Sequence, residues 1–244
     1  SDLFFAFGSQ ASFTAFPYLI AQFLRQFDTA IVFSSLTLAG LFFFLATSAK
    51  LLSRVLPAPQ WYWGLLALLI LPSTYGGHFI FGYAETFFTG RSLAEPLVLF
   101  AFAAYIQGRK LLASALWLAA AVLHPLQAIP AALVWWCDRV SNDRRWLHLL
   151  WLPVSLPLAA VMRVPLAEAW MAPFDTQWFE WVVVPSRHVF ITRWTQQDFL
   201  GLGTDIFLVS LLYANTSGRT KSLAKALLAA TLLGFTASLL LADG

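Results

Sequence analysis

The chain has 244 residues, 59% of them hydrophobic and 11% charged, with a mean hydropathy of +0.72. Soluble domains carry about 25% charged residues, so this inventory cannot furnish a surface that faces water all round. The net charge of +3 comes in short basic clusters between apolar runs, which excludes the basic stripe of a nucleic-acid binder, and the single Cys137 excludes an internal disulfide and a cysteine-built metal site.

A bilayer removes the need for a charged surface, and only helices or closed barrels satisfy the backbone inside one. Barrel strands alternate apolar and polar residues over short segments. Here the apolar runs are continuous and rich in Leu and Ala, as in LTLAGLFFFLAT and LLASALWLAAAVL. The fold class expected is therefore all-α: a polytopic transmembrane helical bundle of about eight spans, two of them a short hairpin, with an outer amphipathic helix.

In chain order, ASFTAFPYLIAQFLRQF is apolar but short and is closed by Arg25 and Asp28, which suits a helix lying along the outer interface. Spans are expected over Thr29–Ala49, Gln60–Thr74 and Ser92–Gln107. The apolar stretch Leu111 to Cys137 is long for one helix and carries Pro125 and Pro130 in HPLQAIP. It reads as two short arms turning near His124 and Pro125, a single kinked span being the alternative. Further spans are expected over Trp146–Met162, Phe199–Asn215 and Ser222–Ala242. With the hairpin, Lys50/Arg54, Arg109/Lys110, Arg139/Arg144/Arg145 and Arg219/Lys221 all fall on one side, the cytoplasmic one by the positive-inside rule. The whole chain reads as one transmembrane domain, opening at Ser1 without a signal peptide and stopping at LLLADG, as expected of a fragment that lacks a first span and a C-terminal part.

Ionisable groups at membrane depth are expensive, so each is a functional candidate. Most of them fall on the outer side. Glu95 stands inside an apolar helix four residues after Arg91, on the same helix face. The pair is either a structural ion pair or a head-group site, with Arg91 on a phosphate and Glu95 or Glu85 orienting it. His124 is either a capped structural histidine or a polar group at the floor of a cleft, with Gln127 nearby. SRHVFITRW, carrying Arg187, His188 and Arg193, suits phosphate and sugar contacts and equally a helix at a lipid interface. Asp205, in the weak GLGTD motif, is unusual in an apolar segment and needs a partner. No Gly-rich phosphate loop, His-x-x-x-His pair or Gly-x-Ser-x-Gly elbow is present.

SDLFF at the start, the amphipathic helix, ETFFTGRSLAEPLVLF, and a short hairpin with LHPLQAIP together resemble the GT-C superfamily of integral-membrane glycosyltransferases. The resemblance implies inverting transfer of a sugar from a polyprenyl-phosphate-linked donor to a glycan, lipid or protein acceptor, on the periplasmic face of a bacterial inner membrane. By position it makes Asp2 the catalytic base or a metal ligand. Substrate contacts would come from Glu85, Arg91, Glu95, His124, Arg187, His188 and Arg193, with the cations near the leaving phosphate. No metal ligand set is assigned, a divalent cation is left open, and no nucleic acid is implied. A transporter or flippase of lipid-linked saccharide is the alternative, as is a non-catalytic membrane scaffold; neither an inverted repeat nor a midplane site is visible in the sequence.

Overall fold

The computed structural model describes residues 14–70, 74–82, 88–164, 176–184 and 186–241. Among them are ten α-helices: α1 Phe16–Leu24, α2 Thr29–Val55, α3 Gln60–Ile70, α4 Gly90–Ile106, α5 Lys110–Leu123, α6 Pro125–Asn142, α7 Trp151–Val161, α8 Thr176–Val183, α9 Gln196–Asn215 and α10 Gly218–Leu241. Two short strands, β1 Thr74–Tyr75 and β2 Phe81–Gly82, pair antiparallel, with Thr74 opposite Gly82 and Tyr75 opposite Phe81. The backbone divides into two compact units, the first ending at Leu133 and the second starting at Val134.

In the first unit, α2 starts where the Asp28 carboxylate accepts from the amides of Ala30, at 2.9 Å, and Ile31, at 3.4 Å. That cap occupies donors that a helix start otherwise leaves orphaned. The buried positions of α2 are Val32, Gly40, Phe44, Thr47 and Ser48, which fall on one side at helical spacing. α4 packs against this side and against α5. Its buried residues are Gly90, Ala94, Pro96, Ala101, Ala103 and Ala104, and α5 buries Ala113 and Ala120. Small residues let helix backbones approach closely, which suits an interface built on dispersion contact in an apolar medium. α5 stops at His124 because Pro125 follows, and the Trp117 indole donates to the Ala128 carbonyl at 2.9 Å, so α5 folds back on the start of α6. α1 lies within the stretch read as an interfacial helix, and its entry is tied down by the Ala15 amide on the Val122 carbonyl at 2.9 Å.

In the second unit, α9 packs on α10. α9 opens on a capping box in which Asp198 Oδ2 accepts from the Thr195 amide at 2.6 Å and from its hydroxyl at 2.7 Å. The buried Asp198 is thereby a helix-start residue.

The expected eight spans are not what the structure contains. Among the described residues two helices are long and apolar enough to cross a membrane, Thr29–Val55 and Gly218–Leu240. The others fail for physical reasons. The apolar helices Gln60–Ile70 and Lys110–Leu123 rise only about 17 and 21 Å at 1.5 Å per residue, against about 30 Å of hydrocarbon. The segment expected to span Gln60–Thr74 ends its helix at Ile70 and resumes as strand β1. The Trp146–Met162 stretch divides into a 3₁₀ segment, Arg144–Leu150, and the 11-residue α7. α6 ends in Asp138, Arg139 and Asn142, and α9 carries Asp198 and Asp205. The hairpin arms are therefore real as helices and too short or too polar to count as spans. The two helices that qualify are sparsely covered, with 17% and 22% of their apolar windows buried.

Candidate functional site

The N-terminal half of α4 carries the most connected polar group of the first unit. The Thr89 amide donates to Ser92 Oγ at 3.1 Å, closing the first turn of α4 and setting Arg91 and Glu95 one turn apart. Beside this turn stands the hairpin of β1 and β2. Its reversal runs through Gly76, at φ +76, and the 3₁₀ turn Gly77–Phe79. A side chain at Gly76 would meet the Phe81 ring at 2.7 Å, so this turn needs glycine both for its left-handed backbone and for space.

The hairpin presents two aromatic residues to α4. The Tyr75 hydroxyl donates to Glu95 Oε1, and the Tyr75 and Phe81 rings lie 5.7 Å apart. The Arg91 guanidinium sits over the Phe81 ring, 4.4 Å from its centre, a cation–π distance. From the start of α6, Gln127 Nε2 donates to Glu95 Oε1 at 3.0 Å and to the Tyr75 oxygen at 2.9 Å. Glu95 thus takes two side-chain donors that lie 20 and 32 residues away in the chain. All three groups are half-buried. Glu95 also helps line a cavity of about 10 Å³ between α2 and α4, with Thr37, Gly40, Phe44 and Ser92, enough for about one water.

Burial, then the hydrogen bond to Glu95, and then its negative charge push the Tyr75 phenol above its ordinary value of 10.0. Tyr75 accordingly stays protonated at neutral pH and donates its hydrogen bond to Glu95. What the trio does is orient one carboxylate and keep it in place. The turn between α5 and α6 completes the surroundings: a β-carbon at Gly90 would stand 3.0 Å from the Leu123 carbonyl and 3.4 Å from Cδ2 of the His124 ring.

The structure therefore sets Arg91 and Glu95 one turn apart on α4, with the His124 ring beside Gly90 at the start of that helix. Tyr75 and Gln127 both donate to Glu95, in addition to the Arg91 one turn away to which the sequence pointed. Arg187 and His188 lie in the turns before the 3₁₀ segment Ile191–Arg193, which Arg193 ends. Arg187 and Arg193 are exposed, His188 is half-buried, and the His188 carbonyl accepts from the Trp194 indole at 2.9 Å. Asp205 lies on the exposed side of α9. Asp2 and Glu85 lie outside the described residues. Among the described residues no group of three or more His, Cys, Asp or Glu side chains is placed to hold a metal ion. Tyr75 is the site residue the sequence reading missed. Its one local signal is the run TYGGHFIFG, aromatic residues either side of a glycine pair, which is hairpin grammar.

No protein-family model matches the chain, and no curated protein and no solved structure is significantly similar to it.

Proposed function

We propose that the protein is a membrane glycosyltransferase of the GT-C kind, moving a sugar from a polyprenyl-phosphate carrier to an acceptor at the outer face of a bacterial inner membrane. The observation that carries this reading is the Glu95 carboxylate, held by Tyr75 and Gln127 one turn from Arg91, in a chain with two helices able to cross a membrane. An ionisable group beside lipid is retained for a use more often than by chance. The low cover of α2 and α10 supports a lipid environment, since the core helix of a soluble protein is mostly buried.

In this reading Arg91 holds a phosphate oxygen of the donor, and Glu95, unable to rotate away from its two donors, accepts from sugar hydroxyls. Asp2 takes the proton of the acceptor hydroxyl as its oxygen bonds to the anomeric carbon. The bond from that carbon to the phosphate oxygen breaks, and the lipid phosphate leaves with the electron pair. Arg91, already on that phosphate, stabilises the charge it gains.

The test is turnover of polyprenyl-phosphate sugars by the purified protein, followed as loss of donor. Asp2→Asn is expected to lower kcat by about 10²–10⁴-fold, the usual weight of a general base. Glu95→Gln keeps the shape and is expected to raise KM more than it lowers kcat. Absence of turnover with any donor, together with saturable movement of lipid-linked saccharide across liposomes, would favour the transporter reading. Absence of both would favour a scaffold.

A further inference from the structure

We propose that the second unit carries a binding surface for the head group of an anionic phospholipid, built where the end of α6, the Arg144–Leu150 segment and the start of α10 meet. The inference rests on α10 crossing the membrane and is independent of any transferase activity.

The sequence puts these basic clusters on one side of the membrane but not against each other, because they lie about eighty residues apart. The Ser222 hydroxyl donates to Asp138 Oδ1, and Asn142 Nδ2 donates to the Asp138 carbonyl at 2.7 Å and to Ser222 Oγ at 3.5 Å. These bonds fasten the first turns of α10 to the last turns of α6. Two basic clusters thereby become one: Arg144 and Arg145 from one side, Arg219, Lys221 and Lys225 from the other. Arg144, Arg145, Arg219 and Lys225 are exposed, and Lys221 is half-buried with its ammonium 4.8 Å from the Tyr213 ring centre.

Of the two acids described at this end, Asp138 is buried, and the exposed Asp143 offsets one of the five cations. Asp138 is 5% exposed and turned to Ser222, and Asp143 accepts from the Arg145 amide at 3.0 Å as the cap of the 3₁₀ segment. Beside the cations stands an apolar rim: Leu147, Leu150 and Trp151, the last 70% exposed. Behind it, Arg139 lies beside the edge-to-face pair of Trp135 and Trp146, 5.4 and 5.7 Å from their ring centres, and the Trp136 indole donates to the Trp146 carbonyl at 2.9 Å. Tryptophan with exposed arginine is the chemistry of the boundary between acyl chains and head groups.

Depth decides the occupant. If α10 crosses the bilayer, its first turns lie at the height of the lipid phosphates, and the cations on them face a sheet of phosphodiesters rather than bulk water. Arginine pairs with a phosphate bidentately, and an anionic lipid adds net negative charge that a zwitterionic one cancels with its own ammonium. A lipid bearing a net charge of −1 is the ligand this combination of cations and apolar rim fits.

The test compares retention of dioleoyl-phosphatidylglycerol and dioleoyl-phosphatidylcholine by the detergent-purified full chain, read by native mass spectrometry at low and high ammonium acetate. Wild type is expected to retain phosphatidylglycerol in preference, less so at high salt. The R144Q/R145Q/K225Q variant is expected to need about 100-fold more of it, from the typical weight of three interfacial cations. A charge-matched variant elsewhere, R25Q/K110Q/R163Q, is expected to behave as wild type. If the triple variant does not fold, R144Q and K225Q singly are each expected to weaken retention about fivefold. Equal retention of the two lipids, an unchanged triple variant, or an equal loss in the charge-matched variant would overturn the proposal. So would retention of a short RNA oligonucleotide in place of phosphatidylglycerol. A chain that washes off membranes and binds no detergent would instead remove the membrane reading itself.

Discussion

A carboxylate half-buried among apolar side chains is costly unless its oxygens meet donors, and Glu95 meets two. Truncation leaves both donors to find other partners, so Glu95→Ala is expected to destabilise the protein by about 1–3 kcal/mol. Glu95→Gln, which can still accept through its amide oxygen, is expected to cost less. Thermal unfolding in detergent checks the order, and equal melting of all three proteins would mean that the trio does not hold the fold. Tyr75 adds a pH signature. Its phenol is pushed above 10.0, so the folded state resists the phenolate. The stability this supplies is complete below pH 10, the unfolded value, and is lost as pH rises above it. The advantage of wild type over Tyr75→Phe is therefore expected at pH 8 and to shrink at pH 11. Of these residues, Glu95 was legible in the sequence because a charge inside an apolar run stands out. Tyr75 was not, since its role exists only once a chain segment 20 residues away is laid against it.

At the scale of elements, the tightest restriction is where α4 passes the turn between α5 and α6. Gly90 is tightly seated: its β-carbon would stand 3.0 Å from the Leu123 carbonyl, a backbone group that would have to give by a few tenths of an ångström. Gly90→Ala is expected to cost about 1–3 kcal/mol by overpacking and to shift the first turn of α4, carrying Arg91 with it. A melting temperature unchanged in the variant would show that the turn has slack. The break that creates this corner was readable, because Pro125 directly after His124 forbids a continuous helix. The ends of α3 and α7 were not. WYWGLLALLILPS and the run from Trp146 to Met162 are as apolar as a span, and hydropathy does not register that the helix stops after eleven residues. Thr195 and Asp198, three residues apart, start α9 by the geometry of their capping box.

The whole molecule poses one question that a single substitution answers: whether its uncovered apolar side chains face lipid or water. Phe42 stands at the middle of α2 and is 75% exposed. It lies thirteen residues from either helix end, about 20 Å at 1.5 Å per residue, beyond the reach of a lysine side chain to either interface. If α2 crosses a bilayer, Phe42→Lys places a charge near its centre at a cost of about 2.5–3.5 kcal/mol on insertion scales. Alkaline carbonate extraction of membranes from expressing cells is then expected to leave wild type in the pellet and to release a substantial share of the variant. If α2 faces water, the same change replaces an exposed aromatic by a solvated cation, and the variant is expected to be more soluble and as stable as wild type. The two environments give effects of opposite sign, so the outcome does not depend on its size. Leu232 on α10, also exposed, gives the same contrast on the second helix. Loss of membrane retention in both Phe42→Lys and Leu232→Lys would establish both helices as spans, whereas loss in only one would leave a single crossing among the described helices and decide whether the basic end of α10 can lie at the head groups.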